Sequence, residues 1–292
     1  MNKVAAIQMN SSESILENLT VAKSLIKEAA SNGAKLIVLP EMFPVMGRNA
    51  TDKVKAKEDM GIGQIQSFIS EQASRYNVWI VAGTIPITSS IPHKVRAACI
   101  VYNDKGETVA RYDKIHLFDV EISENETYQE SKTTDPGNEL TVIDTPVGKL
   151  GIAVCYDIRF PNMFTRLFNK GAEIIAIPSA FTVKTGEAHW KLLARSRAVE
   201  NFSYVIGACQ TGKHVSGRET YGNSLIIDPW GTVLDERIEP TAGIVYAKVD
   251  LTKLHSIRSS IPVGKYHKSN KVLSENDRQE KEVRRLSLFS KL

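Results

Sequence analysis

Leu150-Gly151-Ile152-Ala153-Val154-Cys155-Tyr156-Asp157-Ile158-Arg159-Phe160-Pro161 decides the fold class. A short apolar run, continued back to Lys149, reads as a buried strand, because a strand covered on both faces loses the polar–apolar alternation. Proline at its far end suits the first position of a helix, where a missing N–H costs nothing. The strand therefore passes directly into a helix that starts at Pro161 and ends near Lys170-Gly171. The rhythm repeats outward in both directions. Val4–Met9 is strand-like, and Ser14–Ala30 carries Ile15, Leu19, Ala22, Leu25, Ile26 and Ala29 near helical spacing. Leu36–Leu39 is a second buried run, followed by a helical pattern over Met60–Tyr76, a strand over Val78–Ile85 and a hairpin of Val95–Tyr102 with Glu107–Tyr112. Beyond Pro161 come a strand at Glu173–Pro178, a helix at Glu187–Asn201, and strands at Tyr204–Gln210, Asn223–Asp228 and Gly243–Val249. Strands alternating with helices make this an α/β chain, and no linker-like stretch divides it.

Composition narrows the function classes. The 292 residues hold 37 Lys and Arg against 33 Asp and Glu, a net charge of +4, with 42% apolar residues. Such a chain buries a large core, which excludes general disorder. Its charge forms no basic stripe with interleaved aromatics, so nucleic-acid binding is not expected. No segment reaches the ~18–20 apolar residues of a membrane span, and the apolar N-terminal run lacks the features of a signal peptide. Cys99, Cys155 and Cys209 cannot all pair and show no metal-ligand spacing, which suggests a reducing, cytoplasmic setting and no metal.

Cys99 and Cys209 lie within apolar strands and read as packing. Cys155 sits at a strand-to-helix turn, where backbone N–H groups and a helix N-terminus favour a thiolate. A lone cysteine in an α/β core is nonetheless more often a small buried hydrophobe. Two other residues stand out. Glu41 follows the buried run Leu36–Pro40, at the strand edge where α/β folds place ligand sites. Lys114 is a cation inside the rather apolar Ile115–Phe118 neighbourhood. A nucleophile, an acid/base and a cation are the groups amide hydrolysis asks for.

Pro40-Glu41-Met42-Phe43, Asp113-Lys114-Ile115-His116-Leu117-Phe118 and Cys155-Tyr156-Asp157-Ile158-Arg159-Phe160-Pro161 resemble the Glu, Lys and Cys signature blocks of the nitrilase superfamily of carbon–nitrogen hydrolases. The resemblance runs from Val4 to about Pro262. It implies a four-layer α-β-β-α sandwich, a hydrolase domain over 1–270, and a homodimer or higher homo-oligomer. Residues 271–292, charged and then ending on Leu286, Leu288, Phe289 and Leu292, read from their own pattern either as a C-terminal arm or helix that packs on a dimer partner or as an ordinary solvated face. Within the superfamily the chain is similar to the Nit branch, and Glu130 matches that branch's second glutamate. Ser179–Thr182, Thr185–Trp190 and Tyr221–Ser224, with Asp228–Gly231, look more like deaminated glutathione amidases than ω-amidases.

The resemblance thus implies an amidase that releases ammonia from a small terminal amide, deaminated glutathione first. The alternatives are an ω-amidase for 2-oxoglutaramate-like amides, another small amide or nitrile hydrolase, or, in a different class, a non-catalytic binding or scaffold protein. Intact Glu41, Lys114, Glu130 and Cys155 argue against the last. Cys155 would attack, Glu41 would carry protons, and Lys114 with the Tyr156 backbone N–H would hold the oxyanion, with no cofactor. Phe43, Phe181 and Thr182, beside the signature blocks, are the candidate pocket walls, though core packing would look the same. Arg159 either meets a substrate carboxylate or forms an internal ion pair.

Overall fold

A computed structural model describes residues 2–123 and 126–264. Two six-stranded sheets stack face to face with helices on both outer surfaces. The first runs, edge to edge, Gly243–Val249, Asn2–Gln8, Ala34–Val38, Trp79–Thr88, Val95–Tyr102 and Thr108–Asp113. The second runs Val142–Thr145, Gly148–Ile152, Ile174–Ser179, Tyr204–Cys209, Ser224–Ile227 and Val233–Arg237. Each sheet has the same plan: three parallel strands, one antiparallel strand on the leading side, and an antiparallel pair on the other. The resemblance in rhythm between the halves is therefore a resemblance in topology.

The apolar runs are continuous because both faces of the parallel strands are covered. In the first sheet Ala5, Ile7, Ile37, Ile80 and Ala82 pack with Leu19, Ala22, Ile26, Ile65 and Ile69 of the outer helices. Their neighbours Val4, Ala6, Leu36, Val38 and Val81 join the other core cluster, shared with the second sheet. The two-residue period of a strand sorts alternate residues to opposite layers. The outer helices are Ile15–Ser31, capped by Ser14, and Gln64–Tyr76 on one side. Pro161–Asn169 and Lys191–Asn201 cover the other.

Several boundaries differ from expectation for identifiable reasons. The strand expected to reach Cys155 stops at Ile152, and Cys155–Arg159 forms a tight 3-10 turn before the helix at Pro161. Beyond the strand end Ala153 still donates its N–H to the Ala176 carbonyl at 3.0 Å, and both Ala153 and Val154 are buried. The helix expected from Glu187 begins instead with a π-turn over Gly186–Trp190. The hairpins Asp119–Ser123/Glu126–Gln129 and Thr211–Lys213/Glu219–Tyr221, and the strand Val233–Arg237, are short or polar and carry little periodic signal. The expected arm 271–292 lies outside the described residues.

Direction within the sheets fixes where the functional loops emerge. Ala34–Val38 and Thr108–Asp113 run the same way, because two antiparallel pairings separate Thr108–Asp113 from Trp79–Thr88. Their C-terminal ends therefore open on one edge. Gly148–Ile152 and Ile174–Ser179 are likewise mutually parallel. A backbone bridge between Met9 and Gln210 ties the two halves together.

Candidate active site

Glu41, Lys114 and Cys155 each lie just beyond a strand end, and the structure brings them together with Glu130. Lys114 Nζ donates to Glu41 Oε1 at 2.7 Å and to Glu130 Oε2 at 2.8 Å. The ammonium is buried. Burial alone would push its pKa down, but the Glu130 and Glu41 carboxylates outweigh it and hold it well above the ordinary value. Burial would push Glu130 up, and the Lys114 and Lys53 ammoniums together with the Phe118 N–H hold it below the usual carboxylate value.

Each group is held by its loop. Gly83 lets the chain pass under the Pro40 carbonyl, where any Cβ would collide with the oxygen. Met42 sits at a φ of 57° and its N–H donates to Thr84 Oγ1 at 2.8 Å. The Glu41 carbonyl accepts from Gln210 Nε2 at 3.1 Å, and Gln210 also exchanges hydrogen bonds with Ser11. Cys155 itself occupies a φ of 49°, a left-handed conformation costly for a residue with a Cβ. Its sulfur bonds the Glu41 carboxylate and accepts from the Ala180 N–H.

The expectation of a resting thiolate is not met. Burial and the Glu41 charge push the Cys155 thiol well above its ordinary pKa, against the opposing pull of Lys114 and the Ala180 N–H. The helix whose N-terminus was to favour the anion begins only at Pro161. The cysteine is therefore a neutral thiol hydrogen-bonded to a carboxylate. Cys99 and Cys209 are buried in their strands, and burial raises both.

Sequence reasoning missed Asp157, which fixes the cysteine loop to the lysine loop. Its fully buried carboxylate accepts from the Val154 N–H at 2.8 Å and the Tyr112 hydroxyl at 2.7 Å. It also accepts from the His116 backbone N–H at 3.1 Å and contacts His116 Nδ1 at 2.7 Å. The His116 ring stacks on Phe160 at 3.6 Å. No linear spacing links residues 112, 116 and 157, so only the fold reveals the network. Asp157→Asn turns an amide N–H toward these donors. It is expected to lower unfolding free energy by about 2–3 kcal/mol, measured by denaturant unfolding, and to reduce kcat more than it changes KM.

A cavity of about 820 Å³ opens over Glu41, Lys114, Glu130 and Cys155. Its walls come from the loops around 46–50 and 216–218 and from the short strand Glu126–Gln129, where sequence periodicity has little to say. The side chains of the expected binding residues Phe43, Tyr156, Arg159, Phe181 and Thr182 are not among its lining. Phe43 is fully buried in the helix-facing core. Phe181 packs on Trp190, and Thr182 bonds Thr185. The Tyr156 ring meets Phe118 and Phe160 edge-on. Arg159 lies over the Tyr156 and Phe181 rings and touches His189, so it forms neither a carboxylate ion pair nor part of the cavity wall. Among the described residues no group of three or more His, Cys, Asp or Glu side chains is placed to hold a metal ion. No helix among them is long and apolar enough to cross a membrane.

The carbon-nitrogen hydrolase family matches residues 3–259. A deaminated glutathione amidase of Yersinia enterocolitica is 40% identical over 262 residues, covering 89% of this chain and 91% of that protein. The crystal structure of Saccharomyces cerevisiae Nit3, a member of branch 10 of the nitrilase superfamily, superposes with a TM-score of 0.80 at 34% identity, over 89% of this chain and 94% of that one. The Caenorhabditis elegans NitFhit protein superposes with a TM-score of 0.84 at 33% identity over 90% of this chain, which spans 64% of that longer one. With these matches and its α-β-β-α sandwich, the chain belongs to the carbon-nitrogen hydrolase family, whose members hydrolyse carbon–nitrogen bonds other than peptide bonds.

Proposed function

We propose that the protein is an amidase that hydrolyses the terminal amide of deaminated glutathione to a carboxylate and ammonia, through a thioester on Cys155. One observation carries the chemistry: a thiol hydrogen-bonded to Glu41, whose carboxylate is bonded to an ammonium that Glu130 also holds. Glu41 takes the thiol proton as sulfur attacks the carbonyl carbon, so that no free thiolate accumulates beside the carboxylate. Lys114 and the Tyr156 N–H hold the oxyanion. As the tetrahedral intermediate collapses, Glu41 gives its proton to the departing nitrogen and ammonia leaves. Glu41 then takes a proton from water, whose oxygen attacks the thioester, and the proton returns to sulfur as the acid departs. Glu130 keeps Lys114 in line.

The choice of substrate rests on the Yersinia relative's name and on the cavity. At about 820 Å³ it falls in the range that encloses ligands of several hundred daltons, with room for a peptide-like tail. Ammonia release from deaminated glutathione is expected to exceed that from 2-oxoglutaramate at least tenfold in kcat/KM. The reverse order assigns an ω-amidase, and no release from either contradicts the proposal. The buried, unpaired cysteines fit a cytoplasmic enzyme. Exposed Leu192, Val199 and Trp230 on and beside the helix Lys191–Asn201 fit a homodimer or larger homo-oligomer.

A further inference from the structure

The groups assigned to amide chemistry use only part of the cavity wall. Lys114 faces two carboxylates, so that cluster carries a negative excess when both acids are ionised. Two more cations, Lys53 and Arg218, line the same cavity, whose other charged lining residues are Glu126, Glu187, Glu219, Arg48 and Lys184. They are not the ordinary surface cations of the rim. Arg48 is spent on a bidentate pair with Glu13, and Lys184 is exposed. Among the described residues neither Lys53 nor Arg218 makes a salt bridge to a carboxylate within 4.0 Å.

Both are instead aimed by neutral partners. Lys53 Nζ donates to the buried Thr134 hydroxyl at 2.7 Å. Arg218 donates to the Ala180 carbonyl and lies over the Tyr128 ring at 5.1 Å. The Ala180 peptide is shared: its N–H reaches the Cys155 sulfur while its carbonyl holds Arg218. The guanidinium thus bonds the same residue that supplies the nucleophile's N–H donor. Two buried polar atoms on this wall, Arg218 Nε and Thr133 Oγ1, have no hydrogen-bond partner among the described residues. Buried polar atoms seldom go unpaired without a reason. Desolvation, the largest influence on Lys53, depresses its ammonium pKa, as expected of a cation kept from water without a counter-ion in contact.

We propose that Lys53 and Arg218 form a subsite for a carboxylate carried by the substrate at a distance from its amide, so that the enzyme selects amide acids over neutral amides. This rests on the amidase reading and names the residues that read the substrate's charge. A carboxylate there accepts from Lys53 Nζ and from the Arg218 guanidinium. Lys53 contributes a point charge and Arg218 a planar fork that fixes orientation.

The test separates binding from turnover. In the Cys155→Ala protein, calorimetry with glutaramate and with its neutral diamide, glutaramide, is expected to give at least a tenfold lower Kd for the acid. Lys53→Met and Arg218→Met on that background are each expected to reduce this preference at least fivefold, while Lys53→Arg and Arg218→Lys retain most of it. Equal Kd values for acid and diamide overturn the subsite, and so does a preference that survives both methionine substitutions. Should a methionine variant fail to fold, the parent protein's own acid-to-diamide ratio still decides. Ammonia release by the unsubstituted enzyme is read separately. Release without a binding preference keeps the amidase and removes the subsite, whereas a preference without release does the opposite.

Discussion

Cys155→Ala is expected to abolish ammonia release while leaving the protein folded. The thiol lies on the cavity, bonded to Glu41 and to the Ala180 N–H, and no other cysteine lines that cavity. Without sulfur there is no atom to form the thioester, and Glu41 has no proton to take in the first step. Removing the nucleophile of a covalent hydrolase costs roughly 10⁶-fold in kcat. The structural cost is small by comparison, because one buried atom is lost and the φ of 49° is no harder for alanine than for cysteine. A Tm within about 2–4 °C of the parent corresponds to ~1 kcal/mol in a chain of this size. Ammonia production in the variant within a hundredfold of the parent rate would exclude Cys155 as nucleophile.

Lys114→Met carries the second large effect, and it falls on both activity and stability. A lysine that served only as an oxyanion donor would be lost without cost to the fold. The structure predicts otherwise, since one buried ammonium bridges Glu41 and Glu130 at 2.7 and 2.8 Å. Losing the oxyanion donor costs about 10²–10³ in kcat, and the loss of positive charge beside Glu41 adds to it. Leaving carboxylates buried without their partner costs about 3–5 kcal/mol. The pH dependence identifies the cause. In the parent, Glu130 has a lowered pKa. Its contribution is therefore complete above the ordinary carboxylate value of 4.5 and is lost as pH falls through the lower folded-state value. In the variant Lys53 remains, but the main counter-charge is gone, and burial drives the Glu130 carboxyl upward. Protonation then relieves the folded state. The stability gap between parent and variant should narrow as pH falls from 8 toward 5, followed by thermal unfolding. A gap that is constant across that range would mean the carboxylates are not responsible.

The legible part of this protein is the part that local physics writes locally. Leu36–Leu39 and Leu150–Ile152 announce buried strands because nothing polar interrupts them. Glu41, Lys114 and Cys155 are visible because each is a chemically capable residue set just past such a run. Ser14 and Pro161 mark helix starts for reasons confined to one turn. What was not legible depends on convergence. Asp157 looks like any acid in a turn until the fold brings Tyr112 and His116 to it. Lys53 and Arg218 are separated by more than a hundred residues and sit on loops, so no period connects them. Proximity in sequence also misled. Phe43 and Thr182 flank signature residues, yet the chain turns and sends both side chains into the interior. The same holds for the thiolate. A strand-to-helix turn lowers a cysteine pKa only when the helix starts at the cysteine, and here a 3-10 turn intervenes.

The central claim is a covalent bond between substrate carbon and the sulfur at 155. Acid quenching during the first turnovers with deaminated glutathione, followed by intact-mass and peptide mass spectrometry, tests it directly. The account predicts a mass gain equal to the substrate minus ammonia, mapped to the peptide containing Cys155 and missing in Cys155→Ala. Ammonia released at the full rate with no adduct, or with the adduct on another residue, would contradict it.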